Sequence, residues 1–495
     1  MLKKLTDHLT PKYGVLRSST ILTILFLVAF LLRFPFFFRD YIDRDESTFI
    51  LMGQSWIDGH LPYTELWDLK PPIVFLFFAG IIYTFGKSFF AIRLVGTLIV
   101  AITAFFTYKV GEQVGSKKIG FWAGICCVML LSMFGSLQGV MSEHICMVFF
   151  MPGLYLILKH GSWYWYLLAG ILMGLSLMTK LNMAYPVLFL GLFIIYIWYM
   201  KRTLPKGILN FLLYGTGVLL VIALTIIPYY LNDQTSLWWK SVILAPIEYT
   251  GARRYSVLGL APICILLIGA FLFAWKKKLL DFGNIDIQLL TATAIEVVFS
   301  FLKGGRVNGH YLIQLFPVLI VLVVLAVSRS AFFKRINYRP YIMIVLLLLP
   351  MESYLEFGAI AKNKIQKGRF YNGEGIDVPL YIAENRIDTK NILFLEYHIG
   401  YWLLDKLPPT KAATHPSNIF RDELFPFYNN PRNTGMEELR FIMEVIKPKT
   451  VVVRKNKRVF DKKVEEGNAY IDSYLEQHYK LHATVGRAEV LQRLE

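Results

Sequence analysis

The feature that most constrains this chain is a succession of apolar segments, each long enough to cross a bilayer. They lie near 19–38, 91–112, 119–139, 144–159, 163–179, 183–200, 208–230, 256–275, 286–302, 311–328 and 340–357. A hydrocarbon core of ~30 Å needs about 20 helical residues, so these eleven segments predict a helical polytopic membrane protein. Only helices or closed barrels satisfy every backbone polar group in lipid. A mean hydropathy of +0.48 and 55% hydrophobic residues exclude an ordinary soluble enzyme.

Charge orients the bundle. The shorter run 72–86 is interrupted by Gly80 and bounded by Pro71-Pro72 and Gly86, and it reads as a helix at the interface. With that assignment, Lys109, Lys117, Lys118, Lys159, Lys201, Arg202, Lys206, Lys276, Lys277, Lys278, Arg329, Lys334, Arg335 and Arg339 share the side of the N-terminal Lys3, Lys4, Lys12 and Arg17. This is the positive-inside pattern, and counting 72–86 as a span would reverse it. The formal charge of +17 therefore reports membrane orientation and anionic headgroups, not nucleic acid. The first apolar run lacks a small-residue cleavage pattern and reads as a retained span. Cys126, Cys127, Cys146 and Cys264 all lie in apolar segments, as core hydrophobes do.

The outer side then receives 39–90, turns at Gly139–Glu143 and Thr179–Asn182, the loop 231–255, the segment Lys303–His310, and everything after about 358. From 358 charges become frequent, and strand-like runs such as Ile392–Leu395 and Val451–Val453 alternate with helical stretches such as Met436–Ile446. The expected organisation is a transmembrane module over 1–357 and an extracytoplasmic α/β domain over 358–495. Gly170 and Gly174 have the spacing of a helix-packing pair. Trp238 and Trp239 fit an aromatic belt, with sugar stacking as a second use.

Every polar group with chemical potential falls in those outer segments. The first holds Asp43-Arg44-Asp45-Glu46, then Gly59-His60-Leu61-Pro62-Tyr63, then Trp67-Asp68-Leu69-Lys70-Pro71-Pro72. A carboxylate and an ammonium at the membrane surface suit a hydroxyl attacking a sugar on a lipid phosphate: one takes the proton, the other offsets charge on the phosphate. A solvated, salt-bridged loop has the same composition. Lys303-Gly304-Gly305-Arg306 with His310 and Tyr311 offers a basic, glycine-rich turn suited to a phosphodiester, and it lacks the Gly-Lys-Ser/Thr order of a nucleotide loop. Arg253 and Arg254 read as a surface contact or a weaker phosphate site. His144 and His310 near Glu143 specify no metal geometry, so no metal or other cofactor is expected.

Taken together, Asp45-Glu46, Gly59-x-x-Pro62-Tyr63, Lys70-Pro71-Pro72, Phe85-Gly86, Arg93-Leu94, Ser142-Glu143-His144, Met178-Thr179-Lys180 and Arg306-x-x-x-His310-Tyr311-x-x-x-x-Phe316-Pro317 resemble the C-type membrane glycosyltransferases. The likeness is to the bacterial relatives of protein O-mannosyltransferases and of the lipid A aminoarabinose transferase, and it covers roughly the first 320 residues. It implies an inverting transferase of the bacterial inner membrane that uses a polyprenyl-phosphate sugar donor and a lipid, glycan or protein acceptor on the outer face. Asp45 matches the family's base, with Glu46 as helper or alternative base. Lys70, Lys180, Arg306, His310 and Tyr311 match donor phosphate contacts, and Glu143 the second acidic position. Three roles stay open for Glu143: binding the acceptor, orienting a base, or pairing with Lys180. The rival class is a flippase for a lipid-linked sugar, which should place polar groups at mid-span; here only Glu296 stands out among the spans, without an assigned role.

Overall fold

The computed structural model describes residues 13–40, 43–252, 261–304, 308–331 and 339–494. Seven helices in it are long and apolar enough to cross a membrane: Ser18–Phe38, Phe89–Val114, Leu181–Met200, Leu204–Tyr230, Ile285–Lys303, Gly309–Arg329 and Ile344–Lys367. Ser142–Leu158, Trp163–Leu177 and Cys264–Lys276 are shorter apolar helices, and so is Pro72–Phe85. The protein is an integral membrane protein, and each apolar segment read as a span contains a helix.

One of these spans is shorter than its apolar run. The helix Lys117–Leu130 stops well before 139, and a 3₁₀ turn at Gly135–Gln138 follows it. The cause is a buried cation. Arg33, only 1% exposed, donates to the carbonyls of Leu137 and Gly139 at 2.7 Å and to those of Gln138 at 3.2 Å and Leu131 at 3.3 Å. His144 adds a ring contact to the Leu131 carbonyl at 2.9 Å. Backbone that leaves the helical ladder at membrane depth needs partners of this kind, because water cannot supply them. His144 is thereby accounted for as a backbone brace.

The described chain forms two compact units. The first comprises Met1–Phe36, Arg93–Thr225 and Arg253–Phe357, and the second Phe37–Ile92, Ile226–Ala252 and Gly358–Glu495. The first unit is a helical bundle whose core runs through Leu25, Val128, Met147, Leu154, Ile194, Leu290 and Val318. In it Ser142–Leu158 packs along Trp163–Leu177, Lys117–Leu130 along Gly309–Arg329, and Ile285–Lys303 along both Leu181–Met200 and Gly309–Arg329. Gly170 and Gly174 let Trp163–Leu177 approach Leu204–Tyr230 closely. A Cβ on Gly170 would stand 2.0 Å from the Tyr214 carbonyl oxygen, and one on Gly174 2.8 Å from Val221 Cβ.

The second unit holds the helix Arg44–Ile57, which packs against Pro72–Phe85, and a small sheet. Its strands are β1 (Leu393–Phe394), β2 (Thr450–Arg454), β3 (Tyr479–Val485) and β4 (Ala488–Arg493), in spatial order β1-β2-β4-β3. β1 and β2 run parallel, with Leu393 opposite Val451, while β4 pairs antiparallel with both β2 and β3. Val451 and Val452 are fully buried, as the apolar strand run predicts. The expected Met436–Ile446 helix is an α-turn segment Gly435–Arg440 that widens to a π-helix at Phe441–Ile446. Trp238 departs from the aromatic belt: it is 2% exposed, while Trp239 is 52% exposed.

The close approach at Gly170 yields a test. Gly170→Leu should lower the unfolding temperature in detergent and reduce yield, because the backbones must separate, at a cost of about 1–3 kcal/mol or more. Gly80→Leu, where a Cβ meets no atom within 4 Å, should leave both nearly unchanged.

Candidate functional site

The sequence-derived site residues fall into two clusters, one in each unit. The first cluster begins at a helix N-terminus. Asp43 caps Arg44–Ile57, its carboxylate accepting the Asp45 backbone N–H at 2.9 Å. Asp45 and Glu46 therefore occupy the first turn, where the helix dipole favours carboxylates. Neighbouring helical residues diverge by about 100°, and the two differ accordingly: Glu46 is 1% exposed, whereas the Asp45 side chain is 27% exposed.

Lys70 meets Asp45 from the other end of the loop. Its Nζ lies 3.2 Å from Asp45 Oδ2 and 5.5 Å from the centre of the Phe49 ring. The Lys70 backbone is held on both sides. Tyr63 Oη donates to its carbonyl at 2.6 Å, and its N–H donates to Asp68 Oδ2 at 3.3 Å. Burial, with Tyr229 and Asp68 nearby, pushes the Tyr63 phenol well above its usual pKa, so it keeps the proton it donates. Pro71 caps Pro72–Phe85 and ends the freedom of the loop directly after Lys70.

Three further side chains bear on this turn, and none was singled out from sequence. Arg44 is ion-paired with Glu396, which also takes Lys457 Nζ at 3.0 Å. His398 Nε2 lies 2.9 Å from Thr48 Oγ1, and that hydroxyl donates to the Arg44 carbonyl at 3.1 Å, so the imidazole is the donor. Burial, then the neighbouring His415, holds the His398 pKa well below the ordinary histidine range, which keeps the ring neutral at pH 7. His415 Nε2 lies 3.5 Å from Asp45 Oδ1. All three come from residues after 390, so only the folded chain brings them to the first loop.

The second cluster lies in the helical bundle. Glu143, in the first turn of Ser142–Leu158, is ion-paired with Lys180 and lies 3.7 Å from His310 Nε2. Ser142 Oγ donates to its second oxygen at 3.0 Å. Lys180 Nζ sits 4.1 Å from the centre of the Tyr311 ring, a favourable site for a cation. Beside them the Asn182 and Gln314 amides donate to each other at 3.1 and 3.0 Å. A polar residue inside the apolar run 311–328 was the available signal for Gln314. The structure thus brings Glu143, Lys180, His310 and Tyr311 together. Arg306, Arg253 and Arg254 lie outside the described residues. Among the described residues, no group of three or more His, Cys, Asp and Glu side chains is placed to hold a metal ion.

Residues 69–230 match the sequence family described as dolichyl-phosphate-mannose-protein mannosyltransferase. No curated protein sequence matches the chain. Among solved structures, the chain is similar to ArnT from Cupriavidus metallidurans bound to undecaprenyl phosphate, with a TM-score of 0.59 at 14% identity over 96% of this chain and 97% of that one. The apo state of the same protein matches with a TM-score of 0.59 at 13% identity, over 97% and 99%. The oligosaccharyltransferase of Archaeoglobus fulgidus, in complex with Zn and sulfate, matches with a TM-score of 0.50 at 13% identity, over 88% and 68%. The chain has the overall fold of ArnT.

Glu143 is 1% exposed and the Lys180 side chain 9%, so each charge depends on the other. Glu143→Leu alone strands the ammonium and should cost about 3–5 kcal/mol, read as a lower unfolding temperature. Combining it with Lys180→Met should recover most of that loss. A single variant as stable as the parent would show that the pair carries no structural weight.

Proposed function

We propose that the protein is an inverting glycosyltransferase that moves a sugar from a polyprenyl-phosphate donor to a hydroxyl or phosphate of a lipid, glycan or protein acceptor. The observation that carries this reading is the Asp45–Lys70 pair: a partly exposed carboxylate at a helix N-terminus, with an ammonium 3.2 Å away on a braced loop. The family match over 69–230 begins one residue before Lys70 and supports the donor class. ArnT, whose fold this chain shares, is a structure bound to undecaprenyl phosphate.

In this mechanism Asp45 is the base, and its exposure favours it over the buried Glu46, which acts as helper. Asp45 takes the proton of an acceptor hydroxyl as that oxygen bonds to the anomeric carbon from the face opposite the phosphate. The bond from the anomeric carbon to the phosphate oxygen breaks, and its electron pair leaves on the phosphate. Lys70 offsets the charge that develops there. A phosphate acceptor is already ionised and needs no proton removed before it attacks. Lys180, His310 and Tyr311 are further contacts for the donor phosphate, with Arg306 added on its motif alone, and Glu143 positions Lys180.

The basic loops face the cytoplasm of a bacterial inner membrane in this reading. Asp45, Lys70 and the domain over 358–495 then face outward, as the positive-inside pattern requires. A cysteine placed at Glu466 should react with an impermeant maleimide added to intact cells. One placed at Lys277 should react only after permeabilisation; the reverse pattern would overturn the orientation.

Asp45→Asn should lower kcat for sugar transfer from a labelled polyprenyl-phosphate donor by about 10²–10⁴, with an unchanged unfolding temperature. Transfer at the parent rate would remove Asp45 from the mechanism.

A further inference from the structure

Asp45 is held from two sides, and one of them comes from the far end of the chain. His415 joins two 3₁₀ turns, Ala412–Thr414 and Pro416–Phe420, and the proline after it disfavours helical backbone at its position. It is accordingly extended, with φ −122° and ψ 118°. Its Nδ1 accepts the Ser417 backbone N–H at 3.1 Å. A neutral imidazole whose Nδ1 accepts carries its proton on Nε2. That is the nitrogen 3.5 Å from Asp45 Oδ1, while Lys70 Nζ faces Oδ2 at 3.2 Å.

The segment carrying His415 is fastened on both sides of it. Thr414 Oγ1 accepts the Trp67 backbone N–H at 3.3 Å, and Ser417 Oγ accepts from Arg44 Nη1 at 3.3 Å. Trp67 itself is fully buried, packed edge-on against Tyr428 at 4.9 Å. The His398 ring lies 5.7 Å from that of His415 and is tied to Thr48, one helical turn beyond Asp45. The His415 side chain is 6% exposed against 27% for Asp45. The imidazole is therefore the backing group, and the carboxylate is the one a substrate can reach.

We infer that His415 is a positioning residue for Asp45. It directs the Nε2–H at Oδ1, so that His415 and Lys70 face opposite oxygens of the carboxylate and fix its orientation. At 3.5 Å the contact is long for a hydrogen bond, and catalytic contacts of this kind tighten when substrate binds. His415 gives up no proton and touches no substrate; the proton from the acceptor stays on Asp45. The C-terminal segment is thus a working part of the first-loop site. This inference rests on the reading of Asp45 as base.

The test compares the full-length parent with Asp45→Asn, His415→Ala and His415→Gln, in lipid, with a polyprenyl-phosphate sugar donor. Loss of an outer-shell partner of a reacting group costs about 10–100-fold. His415→Ala should lower kcat by that factor, with KM for the donor within about twofold and an unchanged unfolding temperature. His415→Gln, whose amide N–H₂ can replace the Nε2–H, should recover kcat to within about fivefold of the parent. An active parent, an inactive Asp45→Asn and a His415→Ala with normal kcat would overturn the inference and leave the glycosyltransferase reading standing. Equal losses in Ala and Gln variants, with lowered unfolding temperatures, would reduce His415 to a structural residue and overturn it too. A parent without transferase activity, or an active Asp45→Asn, would remove the glycosyltransferase reading or its base, and this inference with it.

Discussion

A carboxylate beside a membrane keeps its charge only where fixed donors and cations replace the water it gives up. The acidic residue of each cluster meets this requirement in the same way, with a lysine supplied by a later turn. Asp45 is matched by Lys70 and Glu143 by Lys180. The rest of the architecture serves to hold those turns. Proline closes the loop after Lys70, and Tyr63 fastens its carbonyl. The bundle brings the turn after Trp163–Leu177 to the start of Ser142–Leu158. Lone charges at such positions would be costly; as pairs, they are tolerated.

The degree of exposure separates the two pairs. Asp45 and Lys70 are each about a quarter exposed, so solvent or substrate can reach both. Glu143 is sealed, with Lys180 and His310 against one oxygen and Ser142 on the other. Of the three roles that the sequence left open for Glu143, pairing with Lys180 is the one this geometry displays. A phosphate entering that cluster would compete with the carboxylate for the ammonium.

Much of the fold was legible because lipid imposes a simple rule. Segments of about 20 apolar residues had to be helices, and the helices fall where those segments are. What escaped was the place where the rule is locally suspended. The run 119–139 reads as one span, yet Arg33, nearly a hundred residues earlier, satisfies the carbonyls that let the chain unwind after Leu130. Asp45, Lys70, Glu143 and Lys180 were legible because each is a charge next to an apolar run within a known motif. His398, His415 and Glu396 were not. They lie in a segment without a motif, and their bearing on Asp45 and Arg44 exists only in the packed second unit.

The central claim is that the donor is consumed at this membrane and not carried across it. The most direct measurement is mass spectrometry of lipids extracted after the purified protein in vesicles has met a polyprenyl-phosphate sugar and its acceptor, together with the anomeric configuration of the product. The account predicts free polyprenyl phosphate in equal amount to the sugar transferred, with the linkage inverted. Intact donor moved from one leaflet to the other, with no polyprenyl phosphate released, would contradict it.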